Sequence, residues 1–145
     1  LIKNYKSNDG INYECLRGDL KKTDMEWEFY PQGLGYFIER IHNEYNKKIP
    51  IYITENGMAN KDFLNEKNEI IDEDRIEYLD LHLKEVLKCL NKDIPIKGYF
   101  AWSLMDNYEW SFGYEKRFGM VYVDYQSFKR TPKKSYYEFQ KYLCV

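Results

Sequence analysis

Apolar residues along this chain follow two rhythms, one of helices and one of buried strands. Leu34, Phe37, Ile38, Ile41 and Tyr45 recur at helical spacing behind Pro31 and predict a helix from Pro31 to about Asn46. Ile49-Pro50-Ile51-Tyr52-Ile53-Thr54 is short, β-branched and apolar on both faces, as a buried parallel strand is, and it ends at the polar turn Glu55-Asn56-Gly57. Beyond a loop rich in Asn, Lys and Asp, residues Ile76, Leu79, Leu83, Val86, Leu87 and Leu90 form one stripe. They predict the strongest helix of the chain, with Asp72 as its cap. Ile94 to Trp102 reads as a second strand and leads into a polar, aromatic segment from Ser103 to Phe118. A short strand at Gly119 to Tyr125 follows, and Thr131-Pro132 opens a last helix to about Leu143. Residues 1 to 30 carry no clean period and read as a long ordered loop.

Helices alternating with parallel-type strands imply an α/β architecture. Two strands alone close no barrel, and their outer edges leave backbone groups unpaired. The 145 residues, without repeat or linker, therefore read as one segment of a larger fold.

Composition narrows the partners. Hydrophobic residues make up 43% and charged residues 32% of the chain, a globular balance. The net charge of −2 comes without a basic stripe, which disfavours nucleic acid. No apolar run reaches the roughly 18 residues a membrane span needs. Cys15, Cys89 and Cys144 are odd in number and far apart, which argues against a disulfide framework or metal cluster and favours a reduced, cytoplasmic compartment. Aromatic content is high at 18%, with 15 Tyr and 3 Trp, side chains that suit a sugar surface and a core equally.

In α/β barrels, catalytic groups gather where strands end. Glu55 stands at one such end and Trp102 at the next, followed by Asp106, Asn107, Glu109 and Trp110. Taken alone, Glu55 reads more readily as a solvated loop carboxylate or a helix cap; the neighbouring strand end changes that balance. Ile53-Thr54-Glu55-Asn56-Gly57 resembles the nucleophile signature of the glycoside hydrolase family 1 β-glucosidases. The segments Asp24 to Leu34, Asp74 to Leu79 with His82-Leu83, Gly98 to Trp110, Arg117 to Tyr125 and Lys129 to Lys133 are similar to that family in order and spacing. The resemblance implies the C-terminal part of a (β/α)8 barrel, about its last two strands.

It also implies roles. Glu55 would be the nucleophile of a retaining β-glycosidase, working with a protonated carboxyl roughly 5 to 5.5 Å away. Trp102 would lie against the sugar in subsite −1. Glu109 would accept from the hydroxyls at C4 and C6, and the Trp110 indole would donate to that at C3. Asp106, Asn107 and Tyr108 are expected to shape the loop, Trp27 and Arg75 to be structural, His82 to be a scaffold histidine, and Lys116 and Arg117 to be solvated or ion-paired. Asn56 either holds the turn or bonds near the nucleophile. No cofactor or metal is implied.

The branch of the family acting on 6-phosphorylated sugars typically has Ser at the Glu109 position and a Lys matching Lys116 with a Tyr two residues on, where this chain has Phe118. A carboxylate facing a phosphate is repelled by about 1 kcal/mol at ~4 Å even in bulk water, so an unphosphorylated β-glucoside or oligosaccharide is the expected substrate. No Asn-Glu-Pro segment supplies the family's acid/base: Asn43-Glu44, Asn65-Glu66 and Asn68-Glu69 are the Asn-Glu pairs, and none precedes Pro. Three readings follow: a fragment of an active β-glucosidase that needs the N-terminal part of its barrel, an inactive carbohydrate-binding or scaffold remnant, and one half of a split enzyme.

Overall fold

The computed structural model describes residues 2–7, 10–15, 18–45 and 48–143, with backbone alone for the first two stretches. The predicted parallel pair is present. Strands β3 (Ile51–Asn56) and β4 (Ile96–Ala101) lie side by side, joined by helix α2 (Glu73–Leu90). Helix α1 (Pro31–Glu44) precedes β3 and packs on α2. The core between them consists of Ile38, Ile53, Val86, Cys89, Ile94 and Ile96, with Leu34, Ile51 and Tyr99 against it. Full burial of each such aliphatic side chain contributes roughly 1.5–3 kcal/mol.

The structure corrects the sequence reading at several places. Residues 2–15 are not loop: β1 (Ile2–Ser7) and β2 (Gly10–Cys15) pair antiparallel from Ile2↔Cys15 to Ser7↔Gly10. Two residues separate the strands, and the sequence there is Asn8-Asp9-Gly10, the chemistry of a tight hairpin. Asn8 and Asp9 themselves lie outside the described residues, as does Asn46, the predicted end of α1. The stripe on α1 is narrower than expected: Ile38 is buried, whereas Phe37, Ile41 and Tyr45 are exposed. On α2 the buried line runs through Arg75, Leu79, His82, Val86 and Cys89, leaving Leu87 and Leu90 exposed. Thr131-Pro132 does not open the last helix but belongs to β6 (Arg130–Pro132), antiparallel to β5 (Val121–Val123). Proline is tolerated there because β6 is the edge of this short ladder, while β5 is bridged to Met105 on its other side. Helix α3 begins after it, at Lys134, and runs to Leu143.

Asp72 precedes α2 but caps nothing with its side chain. Its carboxylate instead accepts the backbone N–H of Ser135 at 2.9 Å and the Ser135 hydroxyl at 2.6 Å, and it pairs with Arg75. This opens a buried network. Arg75 reaches Asp62 at 2.7 Å, and Lys133 Nζ donates to Asp62 at 2.6 Å and to Asp106 at 2.7 Å. Arg117 pairs with Asp106 at 2.6 Å. The three carboxylates Asp62, Asp72 and Asp106 balance the three cations, so the interior carries no net charge. Burial, and then Arg75, pull the Lys133 ammonium below its ordinary pKa. Burial opposes the charge on Arg75 as well, but Asp62 and Asp72 outweigh it and raise its pKa.

Two glycines permit close backbone approaches, Gly57 between the strand ends and Gly119 in the loop beyond β4. A Cβ on Gly57 would stand 1.7 Å from the carbonyl oxygen of Trp102, and one on Gly119 would stand 2.1 Å from the Asp106 nitrogen. Replacing Gly57 by Ala must push the ends of β3 and β4 apart, and a lowered thermal midpoint, equivalent to about 1–3 kcal/mol, is the expected result. Lys133→Met leaves Asp62 and Asp106 facing each other in the interior. Urea denaturation of the variant is expected to register a loss of about 3–5 kcal/mol.

Candidate active site

The strand ends meet at a cavity of about 300 Å³ lined by Trp27, Glu55, Asn56, Gly57, Tyr78, Trp102, Glu109, Trp110 and Phe118. All four residues singled out for sugar chemistry, Glu55, Trp102, Glu109 and Trp110, are on its wall. Glu55 comes from the end of β3, and Trp102 follows β4 directly. Glu109 and Trp110 come from a tight turn. The Glu109 N–H donates to Gly113 O at 2.7 Å, and the Phe112 N–H donates to Glu109 O at 2.8 Å. Trp110 sits at φ 40°, an uncommon backbone for a bulky residue, and such strain gathers at functional sites. The residue is 83% exposed.

A larger groove of about 730 Å³ runs between Leu20, Phe29 and Pro31 and the side of α2, rimmed by Lys21, Lys84 and Lys88. Lys21 there is engaged by Asp74 and Glu77, at 2.6 Å each. It has none of the carboxylate-and-indole convergence of the smaller cavity, which is the site the chemistry favours.

Neighbouring residues divide into scaffold and wall. His82 stays scaffold: its Nδ1 lies 2.7 Å from Tyr78 O, its ring stacks on Tyr78, and burial lowers its pKa. Asp106 shapes the loop, accepting from the Gly119 N–H at 2.9 Å. Lys116 donates to Asp24 O at 2.7 Å and pairs with its carboxylate at 3.1 Å, and Arg117 lies over the rings of Tyr122 and Tyr125. Both are engaged, as expected. Trp27 departs from the structural role assigned to it: it is 53% exposed on the cavity wall, its ring 5.9 Å from that of Phe118. Tyr78 and Phe118 also line the cavity without having been marked for it. The aromatic step Glu26-Trp27-Glu28 was the available signal for Trp27, but nothing in its spacing says which way the ring turns.

The arrangement offers a wall of aromatic rings and two carboxylates, Glu55 and Glu109, the only ones among the described residues that line the cavity. Tryptophan faces shield sugar C–H groups while carboxylates accept hydroxyl protons, so a pyranose fits the chemistry. Among the described residues no group of His, Cys, Asp and Glu could hold a metal ion.

The sequence profile of Glycosyl hydrolase family 1 matches residues 2–143. Beta-glucosidase A of Thermotoga maritima is 47% identical over 82% of this chain and 26% of its own length. A 6-phospho-beta-galactosidase of Leptotrichia buccalis is 41% identical over 97% of this chain and 32% of its own. The backbone superposes on the Thermotoga maritima β-glucosidase in complex with castanospermine with a TM-score of 0.89 at 40% identity, covering 99% of this chain and 32% of that one. The chain thus spans about a third of the length of these relatives and corresponds to a C-terminal part of their TIM barrel. A match that runs through nearly the whole chain, in sequence and in backbone alike, makes it a member of glycosyl hydrolase family 1.

Proposed function

We propose that this chain carries the nucleophile side of a retaining β-glucosidase site for unphosphorylated β-D-glucosides. The observation that carries the reading is the convergence of Glu55, Trp102, Glu109 and Trp110 on one cavity. Glu55 attacks the anomeric carbon as the bond to the leaving group breaks, and a protonated carboxyl on the opposite side gives its proton to the departing oxygen. Water then cleaves the glycosyl ester and Glu55 is regenerated, with β configuration retained. Trp102 and Trp110 hold the pyranose, and Glu109 accepts from its hydroxyls.

The acid/base carboxyl comes from the part of the barrel outside this chain. Support for such a partner is the exposed apolar character of the sheet face away from the core, where Tyr52 and Phe100 are more than half exposed. The matched relatives include enzymes named for phosphorylated and for unphosphorylated sugars, so similarity alone does not choose. What supports the unphosphorylated reading is Glu109, which would repel a 6-phosphate. Lys116, which could otherwise meet a phosphate, is held by Asp24.

Both claims are testable in a completed barrel, this chain joined in frame to the N-terminal part of Thermotoga maritima β-glucosidase A. Glu55→Ala is expected to lower kcat on an aryl β-glucoside by more than about 10³-fold. Azide should restore turnover by entering the vacated side of the sugar, yielding the α-glucosyl azide; a β product or no rescue contradicts the role. Glu109→Gln removes a charged acceptor worth about 1.5–3 kcal/mol per hydrogen bond, so kcat/KM for the glucoside should drop by roughly 10- to 150-fold. An unsubstituted barrel that prefers the aryl 6-phospho-β-glucoside would refute the substrate assignment.

A further inference from the structure

The pairing of β3 with β4 contains an irregularity at the proposed nucleophile. Ile53 pairs with Tyr99 and Asn56 with Ala101, so β3 takes three steps where β4 takes two. One residue of β3 is extra, a β-bulge, and a bulge re-aims the side chains beyond it. Strict alternation would put Glu55 on the face of Ile53, which is buried in the core against α1 and α2. Instead Thr54 and Glu55 are both exposed, and Asn56 takes the core-side position.

Side-chain bonds fasten Asn56 there. The Tyr99 hydroxyl donates to Asn56 Oδ1 at 2.6 Å, and Asn56 Nδ2 donates to Tyr78 on α2 at 3.4 Å. The Trp102 N–H donates to Asn56 O at 2.9 Å, joining the bulge to the residue that carries the indole. Burial pushes the Tyr99 pKa up, so its hydroxyl stays protonated and remains a donor.

We propose that Asn56 and Tyr99 are positioning residues: their hydrogen bond latches the bulge that turns Glu55 away from the core and onto the side of Trp102. The proposal rests on Glu55 as nucleophile and adds what aims it. Tyr99→Phe and Asn56→Leu delete the donor and the acceptor respectively.

In the completed barrel each variant is expected to lower kcat/KM for an aryl β-glucoside by about 10- to 100-fold, the scale of an ångström of misplacement. The inhibition constant for glucose should stay unchanged, and the double variant should be no slower than Asn56→Leu alone, because the one bond that Tyr99→Phe removes is already gone there. Tyr142→Phe is the control: that hydroxyl donates to Asp80 at 2.8 Å on the surface, and its loss should leave kinetics untouched. Wild-type kcat/KM in Tyr99→Phe, additive losses, or an equal loss in Tyr142→Phe would overturn the latch. Crystals of Asn56→Leu give a readout independent of Tyr99→Phe folding: a Glu55 carboxylate turned from Trp102 supports the latch, and an unmoved one refutes it. The two claims fail separately. If azide does not rescue Glu55→Ala, the nucleophile reading falls; if it does and the latch variants are fast, only the latch falls.

Discussion

The buried network of Asp62, Asp72, Asp106, Arg75, Arg117 and Lys133 is the constraint that ties the loops around the cavity to the starts of α2 and α3. It joins the loop after β3, the start of α2, the loop after β4 and the entry to α3, segments otherwise tied by isolated backbone bonds such as Asn60 N–H to Arg117 O. The main hydrophobic cluster lies between α1, α2 and the two strands, and the loops around the cavity add the buried residues Met58, Ala59, Phe118 and Met120. Ions in such a place are costly to desolvate, and removing one partner leaves its neighbours uncompensated. Asp106 illustrates the arrangement. It binds Lys133 and Arg117 and accepts from the Gly119 N–H, and it stands three residues before Glu109. The turn carrying Glu109 and Trp110 is thereby anchored from within.

Glu55 and Trp102 are set by the sheet rather than by the ions. Parallel strands end at one side, which brings the two residues together, and Gly57 permits the approach because its missing Cβ leaves room for the Trp102 carbonyl. One extra residue in β3 then decides which way the carboxylate faces. The cavity therefore draws on two kinds of order: backbone register for Glu55 and buried ion pairs for the turn of Glu109 and Trp110.

Much of this was legible from residue pattern. Ile51 and Ile53 read as strand and Leu79 and Val86 as the buried line of a helix, and both are so, although the strand is buried at Ile53 and not on both faces, since Tyr52 is exposed. The site quartet was legible through its resemblance to a family, and the structure brings all four onto one cavity. What escaped had physical reasons. The first hairpin alternates Lys, Asn and Tyr instead of apolar and polar residues, so no period marks it, although Asn8-Asp9-Gly10 carried turn chemistry. Phe37, Ile41 and Tyr45 made a convincing stripe yet lie open, because apolar spacing says which residues share a face and not what covers it. Asp72 was read as a cap since its position is right, but Arg75 and Ser135 compete for its carboxylate and win. Nothing in a local window marks Lys133 as buried, because its partners lie 71 and 27 residues away. The bulge at Glu55 was equally hidden, since a period of two puts that residue on the wrong face.

The central claim is that Glu55 forms the covalent bond to sugar. The most direct measurement is peptide mass spectrometry of the completed barrel after incubation with a 2-deoxy-2-fluoro-β-glucoside, whose fluorine slows hydrolysis of the glycosyl ester. The account predicts the mass of one fluoroglucosyl group on the peptide containing Ile53-Thr54-Glu55-Asn56-Gly57, with fragmentation locating it on Glu55. A label on any other residue, or an enzyme that turns over glucosides without ever accumulating a label, would contradict it.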